Sequence, residues 1–505
     1  MASELTDYQK RYILEHYQTL SKNKLAKTLG VPKKDIIRFI KKYKEEGDSG
    51  DKVFPQHKKR IDRFPPLLWT LIFFCVAVFA FSLRLGTFFQ SHNTGDQVFY
   101  TAVAMKLDKF GFNGYNLQEV GLRKINDHTT LIIHEKNPER TLLAVHKKDG
   151  FNFYDEPVFY APPVLPYLIK FSHDIFAGGK DYLMAKKPQF NDKGLPRFLK
   201  FEFYRTIVPF SFSILTIILL IIFCKTYFNR HIALYAALLL SVSPIDIMSS
   251  SRVWADTALT FFIALSLALF YIADEKKNIF YAILGGISWG LAILTKTSAI
   301  ALISIVGLYH LWVNKERLKG FNGVISVLFD RNLWAYAITA FLITLPWFWV
   351  ITKTFGNPLH FPSQENVLEV MNWFKMVRSR PWYTYPADIA YQNPLLALSA
   401  VSLSLSFKNR KAKFLLVTWS LVFFLALTLL TKGKENRYML PAYPALAVLA
   451  GCVLYRIKEA FNLRIAKRSG DIAVLALIAV SAFWSVRLAF MYVFFTPMDW
   501  LPIPF

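Results

Sequence analysis

The apolar run LLWTLIFFCVAVFAFSL, residues 67–83, decides the fold class of this sequence. It is long enough for a helix to cross the ~30 Å hydrocarbon core of a bilayer. Further apolar runs of similar length follow along the chain, and 54% of its 505 residues are hydrophobic. A soluble globular domain is far less apolar. The sequence therefore predicts an all-α, polytopic integral membrane protein.

Reading the apolar runs in order predicts about eleven transmembrane helices. They lie near residues 66–85, 205–225, 231–248, 255–273, 279–295, 297–313, 332–352, 389–406, 412–430, 438–455 and 472–493.

The orientation follows from the charges of the loops. The proline-rich run PVFYAPPVLPYLIKF (157–171) is not counted as a span, because counting it would turn every later basic loop outward. With that run outside, the short loops dense in Lys and Arg all face the cytoplasm, as the positive-inside rule requires. The N-terminus is then cytoplasmic and the tail after Ala489 extracytoplasmic. Two external loops, about 86–204 and 353–388, carry juxtamembrane helices, one of them at 157–176.

Three domains are predicted: a small cytoplasmic domain (1–46), a basic linker (47–65) and the transmembrane domain (66–505). The first 60 residues are polar and basic, so no cleavable signal peptide is expected. The net charge of +25 fits topology-setting loops and contacts with anionic lipids better than nucleic-acid binding. The cysteines, Cys75, Cys224 and Cys452, lie inside apolar runs and are expected to be core residues rather than disulfides.

The N-terminal segment LSKNKLAKTLGVPKKDIIRFIKKYKEEG (20–47) resembles a helix-turn-helix. In that interpretation Lys33, Lys34 and Arg38 open the second helix, where a DNA-binding protein places its contacts. The alternative is a small helical cap whose lysines face water or anionic lipid. The second interpretation is favoured for a membrane protein.

Charged residues near membrane spans are candidates for function, because burial in lipid is costly. In the predicted topology all the notable ones reach the outer side: Asp96, Arg205, Arg252, Asp256, Lys296, Lys434 and Arg437. Each has a structural alternative. Asp96, in SHNTGDQVFY (91–100), is suited to cap the following helix; Asp256 is stabilised at a helix N-terminus; Lys296 is able to reach lipid headgroups. The one-sided distribution indicates chemistry at one membrane surface on a lipid-linked phosphate.

Several segments together resemble the GT-C superfamily of membrane glycosyltransferases, in the branch of protein O-mannosyltransferases and aminoarabinose transferases. They are GDQVFY, YAPPVLPYL, FYRTIVPFSFS, SPIDIMSSSRVWADTALTFF, GGISWGLAILTKTSA, LPWFWVITKTFGNP and KENRYMLPAYPALAVLAG, in that order over roughly residues 85–451. Gln97 stands where the mannosyltransferase pattern has a second acid, and Tyr160-Ala161 where the aminoarabinose group has Glu-Lys. These departures leave the sugar open.

The resemblance implies transfer of a sugar from a polyprenyl- or dolichyl-phosphate donor to a hydroxyl of a protein, lipid or glycan at the extracytoplasmic face, with inversion. It implies Asp96 as general base and Asp256 as a second catalytic residue that orients acceptor or sugar. Asp155 and Glu156 are expected to bind the acceptor or sugar. The donor phosphate would be held by Lys296, Lys434, Arg437 and Arg205. No metal is required, although Asp96, Asp155 and Asp256 are able to gather a divalent ion if they converge.

Two alternatives remain open on the sequence. A transporter or flippase of lipid-linked sugars would be expected to show paired halves and polar residues at the midplane. A membrane-tethered DNA-binding regulator would account for residues 1–46 but not for the motifs on the outer face.

Overall fold

The computed structural model covers the 505-residue chain. It describes residues 6, 9, 12–13, 22–46, 65–88, 100, 103–104, 107, 111, 120–126, 129–134, 143–146, 162–177, 199–357, 380–407, 409–430, 434–465 and 469–495. The chain divides into two compact units, Met1–Trp69 and Thr70–Phe505.

In the described part of the N-terminal unit, residues 22–46 form two helices, α1 (Lys22–Leu29) and α2 (Lys33–Glu46). Gly30 follows α1 with φ 63°, a left-handed conformation that glycine adopts without a steric penalty, and it turns the chain into α2. Ile36 and Ile40, spaced to share one face of α2, form a small core with Leu25 of α1 and with Ile13. The geometry is that of a helix, a short turn and a second helix.

The larger unit is built mainly from helices. In chain order they are α3 (Pro66–Phe88), α4 (Val164–Ala177), α5 (Leu199–Tyr227), α6 (Arg230–Ser241), α7 (Pro244–Ser250), α8 (Asp256–Lys276), α9 (Ile279–Ile293), α10 (Leu302–Val313), α11 (Phe321–Leu328), α12 (Arg331–Phe355), α13 (Thr384–Gln392), α14 (Arg410–Leu430), α15 (Tyr443–Arg464) and α16 (Ser469–Phe495). Three 3-10 segments, Thr297–Ala301, Pro394–Leu403 and Asn436–Ala442, connect some of them.

The count of eleven spans is not confirmed. Seven of the described helices are long and apolar enough to cross a membrane, and α6 and α7 together make an eighth if that pair, bent by 62°, is one span. The apolar runs at 279–295, 297–313 and 389–406 contain shorter helical segments. At 1.5 Å per residue the 15 residues of α9 reach only about 23 Å, less than the ~30 Å hydrocarbon core. The protein is an integral, multi-pass membrane protein.

The helical class is confirmed, but the first long loop also contains a small sheet that the sequence analysis did not predict. Strands β1 (Val120–Asn126), β2 (Thr129–His134) and β3 (Leu143–His146) pair in that order, all antiparallel. The register pairs the Cα atoms of Val120 and His134, with an irregularity between Lys124 and Asn126. The run TTLIIH in β2 is rich in β-branched residues, which favour strands.

Helix α9 packs closely on α12 through its glycines. A Cβ atom at Gly286 would meet the carbonyl oxygen of Tyr336 and lie 2.9 Å from the Cβ of Thr339. The Trp289 ring stacks on Tyr336 at 5.1 Å, and its Nε1 donates to the carbonyl of Ala299 at 3.1 Å. These contacts hold the turn that follows α9, which contains Lys296, against the helix bundle.

Gly286→Ala is expected to destabilise the protein by about 1–3 kcal/mol, because the added methyl group has to displace the α12 backbone. The matched control is Gly307→Ala in α10, where an added Cβ meets nothing within 4 Å. Thermal unfolding of the purified proteins tests this difference. Equal melting temperatures for the two variants would show that the glycine packing between α9 and α12 is not required.

Candidate functional site

The best-defined polar site surrounds Asp256, the first residue of α8. Its side chain is 1% exposed, and Lys296 Nζ lies 2.7 Å from its Oδ1. Arg437 NH1 lies 3.8 Å from its Oδ2. The positive end of the α8 dipole adds to the stabilisation of a carboxylate at this position. The structure thus joins three of the residues that the sequence proposed, from positions far apart in the chain.

Arg437 is held from several sides. Its Nε donates to Glu435 Oε2 at 2.5 Å, and its guanidinium lies 4.2 Å from the ring centre of Trp254 and 5.5 Å from that of Tyr438. Cation–π contacts of this kind are strongest when the cation is desolvated, and the Arg437 side chain is only 7% exposed. Arg437 is therefore a fixed positive charge. Asp256, Lys296, Glu435 and Arg437 are called the Asp256 cluster below.

Lys296 is the accessible member of the cluster. Its side chain is 30% exposed, whereas that of Asp256 is 1% exposed. Its Nζ also lies 4.4 Å from the centre of the Tyr438 ring. A flexible ammonium with three donors is able to keep Asp256 as one partner and turn another N–H towards a ligand. Lys296 is thus the cation of the cluster that a ligand reaches first.

Positive charge is in excess around the cluster. Arg252, fully buried, places its guanidinium 5.1 Å from the centre of the same Trp254 ring. Lys434, beside Glu435 in the chain, donates to the carbonyl of Arg380 at 2.9 Å. Among the residues that the structure describes, these two and the cluster make four cations against two carboxylates, a formal surplus of two positive charges. Such a surplus suits an anionic ligand.

The other predicted site residues are placed differently. Arg205 lies fully buried on α5. Asp96, Asp155 and Glu156 lie outside the described residues. Among the residues that the structure does describe, no group of three or more His, Cys, Asp and Glu side chains converges to hold a metal ion.

The segment that follows Asp96 in the sequence is anchored beside Lys296. Val103 and Leu107 are buried in one apolar cluster with Leu294, Trp347 and Ile351. The last two lie near the C-terminal end of α12, and Leu294 comes directly after α9. This apolar cluster therefore brings Val103 and Leu107 to the end of the helix bundle that carries Lys296.

An apolar cavity opens at the same end. It has a volume of about 450 Å³ and is lined by α4, α12 and the end of α9: Pro163, Val164, Tyr167, Leu294, Ile343, Pro346, Trp347 and Val350. The backbone N–H of Val164 donates to the carbonyl of Leu294 at 2.9 Å, which ties the start of α4 to α9. Leu294 is two residues from Lys296, so the cavity and the Asp256 cluster are neighbours along the chain.

Buried polar atoms beside the cluster lack a hydrogen-bond partner in the described part of the chain. They are Trp254 Nε1, Thr257 Oγ1 and Asn436 Nδ2. Each belongs to a residue that flanks Asp256 or Arg437 in the sequence. Because buried polar groups are normally hydrogen-bonded, these atoms mark a place where a polar ligand finds donors and an acceptor.

The sequence analysis missed a second buried ion pair. Arg84, near the end of α3, binds Asp246 in α7 and donates through Nε to Ser213 Oγ at 2.5 Å. Ser213 Oγ in turn donates to Asp246 Oδ2 at 2.6 Å. The pair links α3, α5 and the bent α6–α7 segment. The sequence contains one signal for this pair: Arg84 is a single Arg at the edge of the first apolar run, where a charged side chain normally has a partner.

Asp388 in α13 was also missed. It is 4% exposed, and within the described residues its Oδ2 has no hydrogen-bond partner. Burial raises the pKa of Asp388 from 3.8 to about 7, against a smaller lowering effect of Arg380. No pattern in the sequence distinguishes this Asp from an exposed one.

Asp388→Asn is expected to stabilise the protein more at about pH 8 than at about pH 5. The wild-type carboxyl binds a proton more tightly in the folded than in the unfolded state, so its stability falls as pH rises from about 4 to about 7 and is then constant. Each pKa unit corresponds to ~1.4 kcal/mol. Melting temperatures of both proteins at the two pH values test this. If the difference in melting temperature between the variant and the wild type does not change with pH, the raised pKa of a buried Asp388 carboxyl is contradicted.

The chain is similar to known families over part of its length. The sequence model of the dolichyl-phosphate-mannose-protein mannosyltransferase family matches residues 157–361, which include Asp256 and Lys296. An uncharacterized protein of Aquifex aeolicus (strain VF5) is 28% identical over 267 residues, 51% of this chain and 50% of the relative. The undecaprenyl phosphate-alpha-4-amino-4-deoxy-L-arabinose arabinosyl transferase of Wigglesworthia glossinidia brevipalpis is 26% identical over 249 residues, 48% of this chain and 43% of the relative. The chain thus matches about half the length of these curated relatives.

Two solved structures have a similar fold. ArnT of Cupriavidus metallidurans bound to undecaprenyl phosphate has a TM-score of 0.50 at 16% identity, over 85% of this chain and 76% of that one. The oligosaccharyltransferase of Archaeoglobus fulgidus has a TM-score of 0.51 at 14% identity, over 87% of this chain and 56% of that one. At identities this low, the comparison shows that the folds are similar and nothing more. This fold agrees with the resemblance stated from the sequence.

Proposed function

We propose that this chain, a membrane glycosyltransferase of the GT-C fold, moves a sugar from a polyprenyl-phosphate donor to an acceptor hydroxyl on the extracytoplasmic face. The observation that carries the proposal is the Asp256 cluster, in which a partly exposed lysine and a fixed arginine meet at one end of the helix bundle. The likeness to ArnT bound to undecaprenyl phosphate supports the donor class.

The donor phosphate is placed against Lys296. In this proposal Asp256 keeps Lys296 and Arg437 in position, and the positive surplus around Trp254 stabilises charge that develops on the departing phosphate. Arg437 contributes the fixed field, and Lys296 makes the direct contact. Lys434 and Arg205 remain proposed phosphate ligands. To reach the donor phosphate, Lys434 would have to break its hydrogen bond to the Arg380 carbonyl.

The polyprenyl chain is placed in the apolar cavity between α4 and α12. The cavity lining has only apolar and aromatic side chains, as an isoprenoid requires, and it ends near Leu294, two residues before Lys296. In this proposal the phosphate at the end of the lipid reaches Lys296. Trp254, Thr257 and Asn436, whose buried polar atoms have no hydrogen-bond partner among the described residues, flank Asp256 and Arg437 in the sequence. Those atoms are proposed to bind sugar hydroxyls.

Asp96 is the proposed general base. The resemblance assigns it this role, and the 103–107 segment that follows it is packed beside Leu294. A carboxylate that removes the acceptor proton is worth typically 10²–10⁴-fold in rate. A single displacement at the anomeric carbon breaks its bond to the phosphate oxygen as the acceptor oxygen bonds, and it inverts the configuration there. Asp155 and Glu156 are proposed to bind the acceptor or the sugar, and Asp256 to orient them through Lys296.

Protein cations replace a metal in this scheme. A divalent ion in such reactions neutralises charge on the leaving phosphate. Lys296 and Arg437 supply that charge at the same place, so transfer is expected to continue in the presence of a chelator.

The predicted topology puts the N-terminus in the cytoplasm and the C-terminus and the site outside.

The function is tested by mass spectrometry of surface glycoconjugates from cells with and without this protein, together with release of polyprenyl phosphate by the purified protein. We expect a pentose or hexose on a protein, lipid or glycan that depends on the protein, and matching release of the lipid phosphate. Identical glycoconjugates in both cells and no released lipid phosphate with any polyprenyl-phosphate sugar would contradict the proposal.

A further inference from the structure

We propose that the N-terminal unit binds double-stranded DNA through α2, a function separate from sugar transfer. The inference uses the predicted cytoplasmic position of the N-terminus and the geometry of residues 22–46. It does not depend on the proposed donor or acceptor, so either proposal is able to fail without the other.

The unit has the construction of a DNA-binding helix-turn-helix. Helices α1 and α2 are separated by Gly30, Val31 and Pro32, and the backbone N–H of Val31 donates to the carbonyl of Ala26 at 3.2 Å. The carbonyl of Pro32 accepts from Asp35 N at 3.0 Å, which closes the first turn of α2. A turn of this length with a glycine fixes the second helix at the surface, where its first turns are free to enter a major groove.

The exposed face of α2 carries cations. Lys33, Lys34 and Arg38 are exposed, and no carboxylate in the described part of the chain pairs with them. Ile37, 39% exposed, lies between them on the same side of the helix. Two helical turns that present three free cations and one apolar side chain fit phosphate contacts around a base edge.

The same face is less suited to a membrane surface. A helix that lies in the headgroup region buries a wide apolar stripe in the lipid. In α2 the apolar stripe is already used, because Ile36 and Ile40 are buried against Leu25 and Ile13. Ile37 alone would remain for lipid. The observations therefore favour a polyanion that is recognised in a groove.

The test uses the full-length protein in nanodiscs of phosphatidylcholine and a fluorescent duplex DNA of mixed sequence, with binding followed by anisotropy. If the three cations each contact a phosphate, affinity falls by about 40-fold or more between about 50 and about 200 mM salt. Replacing them together, Lys33→Gln, Lys34→Gln and Arg38→Gln, is expected to weaken binding at least tenfold and to reduce the salt slope by about 3.

The matched control removes the same charge from another exposed, predicted cytoplasmic segment: Lys315→Gln, Arg317→Gln and Lys319→Gln. The proposal is supported if this control variant binds DNA about as tightly as the wild type while the α2 variant loses binding. Equal loss in both would show unspecific attraction to the net charge and overturn it. Absence of DNA binding by wild type, with binding to phosphatidylglycerol vesicles that depends on the α2 cations, would overturn it in favour of anionic lipid.

Discussion

Replacing Lys296 by methionine is expected to lower transfer from a polyprenyl-phosphate sugar by roughly 10²–10³-fold, the usual cost of removing one electrostatic stabiliser from an enclosed site. Methionine keeps the length and flexibility of the side chain but removes the ammonium. In the described part of the chain, the variant leaves Arg437, 3.8 Å away, as the cation that faces Asp256. The loss is expected mainly in kcat/KM for the donor, because the contact is made with the donor phosphate.

Initial rates at several donor concentrations test this prediction. Lys296→Arg retains the charge and should recover part of the activity. Lys353→Met, on an exposed position of α12, removes the same kind of charge from a residue that is not part of the Asp256 cluster and should transfer at the wild-type rate. Loss of activity in Lys353→Met equal to that in Lys296→Met would contradict a specific role of Lys296.

Asp96→Asn is expected to lower kcat by roughly 10²–10⁴-fold while the KM for the donor stays near the wild-type value. Asparagine has the shape of aspartate but cannot accept the acceptor proton. A base that acts on the acceptor has no part in holding the donor phosphate, so only the chemical step should suffer.

Asp256→Asn provides the comparison. The change weakens the hold on Lys296 and Arg437 and should raise the donor KM, because both cations lose their common partner. Size-exclusion profiles check that each variant is folded. Wild-type kcat in Asp96→Asn would remove Asp96 as the base. A raised donor KM with unchanged kcat in that variant would instead move Asp96 to the donor site.

The sequence proposed Asp256, Lys296 and Arg437 for one site, because the predicted topology puts them on the same side of the membrane. The structure brings Lys296 to 2.7 Å and Arg437 to 3.8 Å from Asp256. Their contacts were not predictable, because the sequence does not show that Tyr438 and Trp254 stack on these cations. Lys434 was proposed for the same site, yet its Nζ is bound to the Arg380 carbonyl. A loop position in the sequence does not fix the direction of a long, flexible side chain.

The number of spans and the small sheet show where periodicity is insufficient. Apolarity alone counted α9 and α10 as full spans, although a short helix between packed neighbours is as apolar as a spanning one. The strands β1–β3 were not predicted, because only helices were expected in the long loop. The β-branched run in β2 was the signal that would have predicted them.

Buried charges that pair across the bundle were the hardest to predict. Arg84 and Asp246 lie 162 positions apart, and nothing in the sequence shows that they pair. Asp246 follows the 62° bend between α6 and α7. Asp388 is similar, since its burial depends on the packing around α13 rather than on its neighbours in the chain. Such residues are recognised only in the three-dimensional structure, because the desolvation of a charged group depends on how the fold buries it.

The most direct test of the Asp256 cluster is an experimental structure of the protein with bound undecaprenyl phosphate. The proposal predicts phosphate oxygens within about 3 Å of Lys296 Nζ, the distance of a charge-assisted hydrogen bond, with the isoprenoid chain in the cavity between α4 and α12. A phosphate bound elsewhere, with the Lys296–Asp256 pair closed and untouched by the lipid, would contradict it.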